Sequence, residues 1–193
     1  EIYRNSVFDT SALTITGVDH GGRVLSKKTR ACYTMLRNEI VDGLEIREEN
    51  FLMLPTVSED FEKSCEAFKS ELERRGGIDL LILGLGENGH LGFNQPGTSF
   101  DSTAWVTEMN TELEERIRRE TRTPADIWLG GVTLGLKDIM NAKRIILVAK
   151  GANKAEAVRK MIRGPLTDDH PASILRLHPD CEYLLDTEAA AEL

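Results

Sequence analysis

His90 is the residue of this chain best placed to do chemistry. It stands in the loop Gly84-Leu-Gly-Glu-Asn-Gly-His90-Leu-Gly-Phe-Asn-Gln-Pro-Gly97, which has glycines at 84, 86, 89 and 92 and the amides Asn88, Asn94 and Gln95. An imidazole gives and takes protons near neutral pH. Glycines on both sides leave little for it to pack against, so a purely structural role, bonding backbone carbonyls of its own loop, is the weaker alternative. The apolar run Leu80–Leu83 just before the loop reads as a fully buried strand. A histidine at such a strand end lies where small molecules bind in an open α/β sheet.

Two more groups suit the same edge. Asp19 follows the β-rich run Leu13–Val18 and precedes Gly21-Gly22. A carboxylate there is a candidate base, although turn chemistry alone would also place an Asp before glycines. Lys154 follows Gly151-Ala-Asn in the first turn of an expected helix. A lysine there opposes the helix dipole at a cost of about 0.3–1 kcal/mol, and an anion bound at that terminus would reverse the sign. A solvated surface lysine is the plain alternative. Arg116, Arg118 and Arg119 lie among Glu112, Glu114, Glu115 and Glu120. Most of them read as a salt-bridged solvent face, with room for one arginine to point into a site.

The loop is not a dinucleotide fingerprint. Gly84, Gly86 and Gly89 match G-x-G-x-x-G, but that motif needs a helix to open at the third glycine. Gly92, Pro96 and Gly97 follow too soon for one. No G-x-x-x-x-G-K-[ST] run exists, so a P-loop is also excluded.

The elements that must hold these groups alternate. Strands are expected near 13–18, 51–54, 79–83, 103–108, 128–132, 144–149 and 182–185. Helices are expected over 28–41, from a capping box Thr56-x-x-Glu59 to Arg75, over 111–121, 134–140, 153–163 and 172–177. The tail 187–193 is expected to be loose or weakly helical. Such alternation means βα units and a mostly parallel sheet. The loops at Asp19–Gly22, Gly84–Gly97 and Lys150–Lys154 then share one edge. Asp19, His90 and Lys154 are expected to converge there.

Composition narrows the classes. The 193 residues are 40% hydrophobic and 29% charged, with net charge −8, which fits one domain. That charge argues against nucleic acid and anionic membrane surfaces as partners. The apolar runs are too short for a membrane span, and no signal peptide opens the chain. Cys32, Cys65 and Cys181 are scattered, without C-x-x-C. They read as buried free thiols of a cytoplasmic protein, with no structural zinc.

The loop Gly84–Gly97 resembles the signature of the glucosamine-6-phosphate deaminase/isomerase family, G-x-G-x-[DN]-G-H-[IL]-[AG]-[FL]-N-E-P. Gly131-Val-Thr-Leu-Gly-Leu-Lys-Asp-Ile-Met-Asn-Ala142, Gly151-x-x-Lys-Ala155 and Pro171-Ala-Ser-x-Leu-x-Leu-His178 are also similar to it, especially to its galactosamine-6-phosphate branch. The related 6-phosphogluconolactonases share the Gly-His turn but lack Phe93-Asn94-x-Pro96. The resemblance implies an α/β fold, a three-layer αβα sandwich around a mostly parallel Rossmann-like sheet, in a single domain spanning 1–193. It implies a cofactor-free isomerisation of a 2-amino-2-deoxyhexose 6-phosphate to a ketohexose 6-phosphate with loss of ammonia. The substrate is a phosphorylated amino sugar, with the galacto form slightly favoured. The oligomeric state stays open, a homo-oligomer included. By position, Asp19 would carry the proton between C2 and C1, and His90 would open the ring. Asn88 and Gln95 would flank His90. Arg119 and Lys154 would bind the phosphate, and Gly86 and Gly89 would line the substrate loop.

Three departures matter. The family's first strand–loop–helix unit, with its Ser/Thr-Gly-Gly-Thr phosphate loop, is not found in these residues. The acids that usually flank the histidine are the amides Asn88 and Gln95, and a neutral pair stabilises an imidazolium less than carboxylates do. The usual Asp-Glu after the early strand is Asp19-His20. These departures leave two alternatives: a weak or inactive relative that binds sugar phosphate, and a phosphogluconolactonase-like hydrolase. Trp105 and Thr107 stand where allosterically activated members carry basic residues, so activation by an N-acetylated amino-sugar phosphate is not expected.

Overall fold

The computed structural model describes residues 12–22, 31–55, 58–108, 111, 114–115, 118–119, 124–125 and 130–193; of 19–22, 31, 32 and 108 only the backbone is described. The chain divides into two compact units. The first comprises 1–68 and 106–132, the second 69–105 and 133–193.

In the first unit β1 (Ile15–Thr16) runs parallel to β3 (Phe51–Leu52), with Ile15 opposite Phe51. β2 (Asp19–Gly22) neighbours β6 (Gly130–Thr133), which neighbours β5 (Trp105–Glu108). Asp19–Gly22 is therefore a strand and not the loop expected from its composition. Ladder bonds to a neighbouring strand outweigh the low β-propensity of Asp and Gly. Helix α1 (Ala31–Leu36) passes into a π-helical turn, Arg37–Val41. Val41, Ile46 and Phe51 form the core, with Ile15, Tyr33 and Leu36 against it. Tyr33 tilts over Phe51 with ring centroids 4.8 Å apart. Arg37 pins that corner, donating from one nitrogen to the Tyr33 hydroxyl at 2.9 Å and to Glu48 at 2.6 Å.

Helix α2 (Phe61–Arg74) is capped by Asp60, whose Oδ1 accepts the Lys63 N–H at 3.0 Å. The expected capping box at Thr56 lies outside the described residues, and the helix starts later than it would dictate. Gly76 and Gly77, both at positive φ, close the helix, and the Gly77 N–H reaches the Leu72 carbonyl.

The second unit is built on three parallel strands in the order β4 (Leu80–Gly84), β7 (Arg144–Ala149), β8 (Cys181–Leu185). Leu80 pairs with Arg144 and Gly84 with Val148; Ile145 pairs with Cys181 and Ala149 with Leu185. Helix α3 (Leu136–Met140) precedes β7. Helix α4 (Ala155–Arg163) follows it through a 3-10 turn, Ala152–Lys154. A 3-10 helix, Pro171–Leu177, leads to β8. Leu81, Leu83, Ile145 and Leu147 point to the buried side with α4 residues Val158 and Met161. Each such side chain contributes about 1.5–3 kcal/mol by burial. Strand β4 was expected to be buried on both faces, but it alternates: Leu80 and Ile82 are exposed, as are Val148 and Leu184 on the neighbouring strands. An unbroken apolar run hides a period of two, so its sequence does not reveal the open face.

The tail is not loose. Ala189 is fully buried, its N–H is accepted by Asp186 at 2.8 Å, and Glu192 pairs with Arg159 at 3.1 Å. Cys65 is buried, whereas Cys181 is only half-buried, against the expectation of a fully buried thiol; neither forms a disulfide. Cys32 lies outside the side chains described. Among the described residues no helix is long and apolar enough to cross a membrane. Mostly parallel strands flanked by helices give the expected class, a mixed α/β fold of the Rossmann-like αβα kind.

Candidate active site

Strand β4 ends at Gly84 and delivers the chain into the His90 loop. Its turn closes on itself: the Gly86 N–H donates to the His90 carbonyl at 3.0 Å and the Gly89 N–H to the Gly86 carbonyl at 2.9 Å. Gly86 and Gly89 are required for different reasons. A Cβ on Gly86 would fall inside the His90 ring. Gly89 has φ of 85°, in the left-handed region, and a Cβ there would fall onto the His170 ring.

The amides around His90 fix its tautomer. Asn88 Oδ1 accepts the backbone N–H of His90 at 3.2 Å and lies 2.7 Å from His90 Nδ1. A backbone N–H can only donate, so the atom facing the ring is the amide oxygen. Nδ1 must then carry the hydrogen, and in the neutral ring the lone pair sits on Nε2. The other end of Asn88 is tied down as well, with Nδ2 donating to Gln95 Oε1 at 3.0 Å. Asn88, His90 and Gln95 thus form one chain of hydrogen bonds.

Asn94, the third amide of the loop, belongs to the scaffold. It is fully buried and donates to the carbonyls of Leu91 at 2.9 Å and Leu134 at 2.8 Å, while its oxygen accepts from Trp105 Nε1 at 3.1 Å. The next turn is anchored too, the Phe93 N–H donating to Thr133 Oγ1 at 3.2 Å.

The lysine turn follows β7. Gly151 has φ of 94°, and its N–H is gripped by both oxygens of Asp186 at 3.1 Å. N–H donors from Ala189 and Gly151 hold the Asp186 carboxyl below the usual carboxylate range. Asn153 Nδ2 donates to Glu87 Oε1 at 2.6 Å. That bond ties the lysine turn to the loop residue three before His90. Lys154, next to Asn153, is half-buried, and among the described residues it has no ion-pair partner.

Within the second unit the structure therefore brings together His90, Asn88, Gln95, Gly86, Gly89 and the turn bearing Lys154. Asp19 lies on β2 and Arg119 on an exposed helical stretch, both in the first unit. Arg118, beside Arg119, is paired with Glu114, one ion pair of the kind expected there. Glu87, Asn153, Asp186 and His170 escaped sequence reasoning. Their roles come from bonds between distant segments, for which spacing carries no signal.

Comparisons with known proteins show the family of the chain. A family model described as glucosamine-6-phosphate isomerases/6-phosphogluconolactonase matches residues 4–183. The chain is 34% identical over 191 residues to a glucosamine-6-phosphate deaminase of Thermoanaerobacter pseudethanolicus, covering 99% of this chain and 76% of that protein. A solved structure of a monomeric glucosamine-6-phosphate deaminase superposes with a TM-score of 0.84 at 30% identity, over 95% of this chain and 77% of that one. A 6-phosphogluconolactonase from Trypanosoma brucei shares the fold, with a TM-score of 0.68 at 23% identity over 92% of this chain and 73% of that one. With its histidine loop and lysine turn held as described, this chain belongs to the glucosamine-6-phosphate isomerase/6-phosphogluconolactonase family.

Proposed function

We infer that this protein is a cofactor-free isomerase/deaminase of 2-amino-2-deoxyhexose 6-phosphates. The observation that carries this reading is the contact of Asn88 Oδ1 with His90 Nδ1 at 2.7 Å. With Asn88 Oδ1 accepting from Nδ1, the neutral ring carries its lone pair on Nε2, which in this reading serves as the base. In this reading Nε2 takes the proton of the anomeric hydroxyl and the ring opens. Asp19 moves a proton from C2 to C1. Water then adds at C2 of the resulting imine, and ammonia leaves with a ketohexose 6-phosphate as product. Lys154 and Arg119 hold the phosphate, a role for which cations are needed in so acidic a chain.

The gluco epimer is the first substrate to test, because the relatives above carry that name. The galacto epimer is the second, because several motifs of this chain resemble that branch. One observation favours a non-catalytic binder instead: the hydrogen-bond chain at His90 ends on the neutral Gln95 and not on a carboxylate.

Ammonia release from each amino-sugar 6-phosphate, run beside calorimetric binding, separates the readings. Release supports the deaminase. Binding without release makes the chain a sugar-phosphate module. Hydrolysis of 6-phosphogluconolactone without either would assign it to the other branch of the family.

A further inference from the structure

Three of the chain's four histidines have described side chains: His90, His170 and His178. His178 is engaged in scaffolding at both nitrogens: Nε2–H donates to the Ala142 carbonyl at 2.7 Å and Nδ1 accepts the Asp180 N–H at 3.1 Å. His170 is different. It is buried, and its Nε2–H donates to the carbonyl of Ala157, inside α4, at 3.0 Å. The Nδ1–Cε1 edge of the same ring lies against Gly89, filling the space a Cβ would need. Gly89 is the residue before His90. The segment carrying His170 is also bonded to the loop at two points: the Ala172 N–H donates to the Gly89 carbonyl and the Gly97 N–H to the Asp168 carbonyl, each at 2.9 Å.

One ring thus stands between two parts of the candidate site. On one side is the turn that presents His90. On the other is the helix whose N-cap residue is Lys154. We propose that His170 is a positioning residue: it sets the separation between the His90 turn and helix α4, and so keeps the proton-transfer group in register with the phosphate-binding lysine. The proposal deepens the functional reading above and rests on it for the roles of His90 and Lys154. His170 itself lies beneath the loop, in contact with Gly89 and Ala157. Two properties suit it to the task. Its flat ring allows the backbone of Gly89 to approach closely, and its single donor fixes the ring to a carbonyl within a rigid element.

The test uses three variants of the full chain. His170→Phe keeps the flat ring and loses the donor. His170→Gln keeps a donor and loses the ring. His170→Ala loses both. For each, the His90 ring signals are followed by NMR through a pH titration, inorganic phosphate is titrated against the amide signals of 151–155, and kcat and KM are measured on glucosamine 6-phosphate. Displacement of either element by about an ångström costs roughly tenfold to a hundredfold in rate. The expected result is a fall of about tenfold in kcat for His170→Ala, with a smaller loss for His170→Gln and His170→Phe. The His90 signals shift in all three, and phosphate binding at 151–155 weakens. If His170→Ala does not fold, the other two decide. Unchanged His90 signals, phosphate titration, kcat and KM in the folded variants would overturn the proposal. A wild-type chain that releases no ammonia sinks the functional reading, yet the NMR comparison still decides whether His170 holds the two elements in place.

Discussion

The side-chain oxygen of Asn88 faces Nδ1 of His90 at 2.7 Å and cannot turn away, because it also accepts the backbone N–H of the same histidine. A neutral amide does here the orienting work that a carboxylate does elsewhere, without adding charge. Asn88→Ala releases the ring to either tautomer. The expected loss is roughly tenfold to a hundredfold in kcat with little change in KM. Steady-state ammonia release checks it, and the His90 ring nitrogens seen by NMR report the tautomer directly.

Gln95 ends the same chain by accepting from Asn88 Nδ2 at 3.0 Å. Gln95→Glu replaces a neutral acceptor with a charged one and strengthens the bond. The negative charge favours the imidazolium that forms when His90 takes a proton. Turnover on an amino-sugar 6-phosphate is expected to rise. An equal or lower kcat across the pH profile counts against the role given to this pair.

Glu87 and Asn153 make the bond that ties the His90 loop to the lysine turn. Glu87→Ala is expected to raise KM for the phosphorylated sugar by about threefold to tenfold while leaving kcat nearly unchanged, as loss of one charged hydrogen bond would. Glu87→Gln keeps an acceptor oxygen and should recover most of the affinity. Initial rates over a substrate series separate the two constants.

His170 gives the stability of the fold a pH dependence with a definite sign. Burial pushes its pKa below the usual histidine value, the Ala157 carbonyl works against that shift, and Lys160 and Arg176 nearby add to it while Glu156 opposes. The unfolded chain therefore binds a proton at a pH where the folded one does not. Stability from this group is fully present above about pH 6.5 and is lost as pH falls from there through the lowered folded value. Urea denaturation between pH 7.5 and 5 should show that decline, and His170→Gln should flatten it.

Asn94 offers a contrast with its neighbours. Its side chain is fully buried and makes three hydrogen bonds, so Asn94→Ala should cost about 2–4 kcal/mol of stability. Chemical denaturation measures this, and kcat of the remaining folded protein should change little.

Sequence reading worked where local chemistry decides. Strand β7 was expected over the residues it occupies, and α2 ends at Arg74, one residue before the expected Arg75. The Asn-Gly-His turn was recognisable because glycines leave a histidine nothing to pack on. Reading failed where partners come from far along the chain. Asp19–Gly22 carries loop residues yet forms a strand, because β6 offers it a ladder. Asn94 and Asn88 are alike as letters, and only their neighbours make one a scaffold and the other a guide for the imidazole. Nothing in the Ala-rich sequence of the tail, expected to be loose or weakly helical, tells of Asp186 accepting the Ala189 N–H.

Asp186 clasps Gly151, 35 positions earlier, with the carboxylate that also receives Ala189. Anyone engineering this protein inherits that arrangement. Removing residues 188–193 would take away the Ala189 N–H that Asp186 also holds and the Glu192–Arg159 pair, loosening the brace behind the lysine turn, and the damage would surface as weakened phosphate capture in a protein whose histidine loop was never touched.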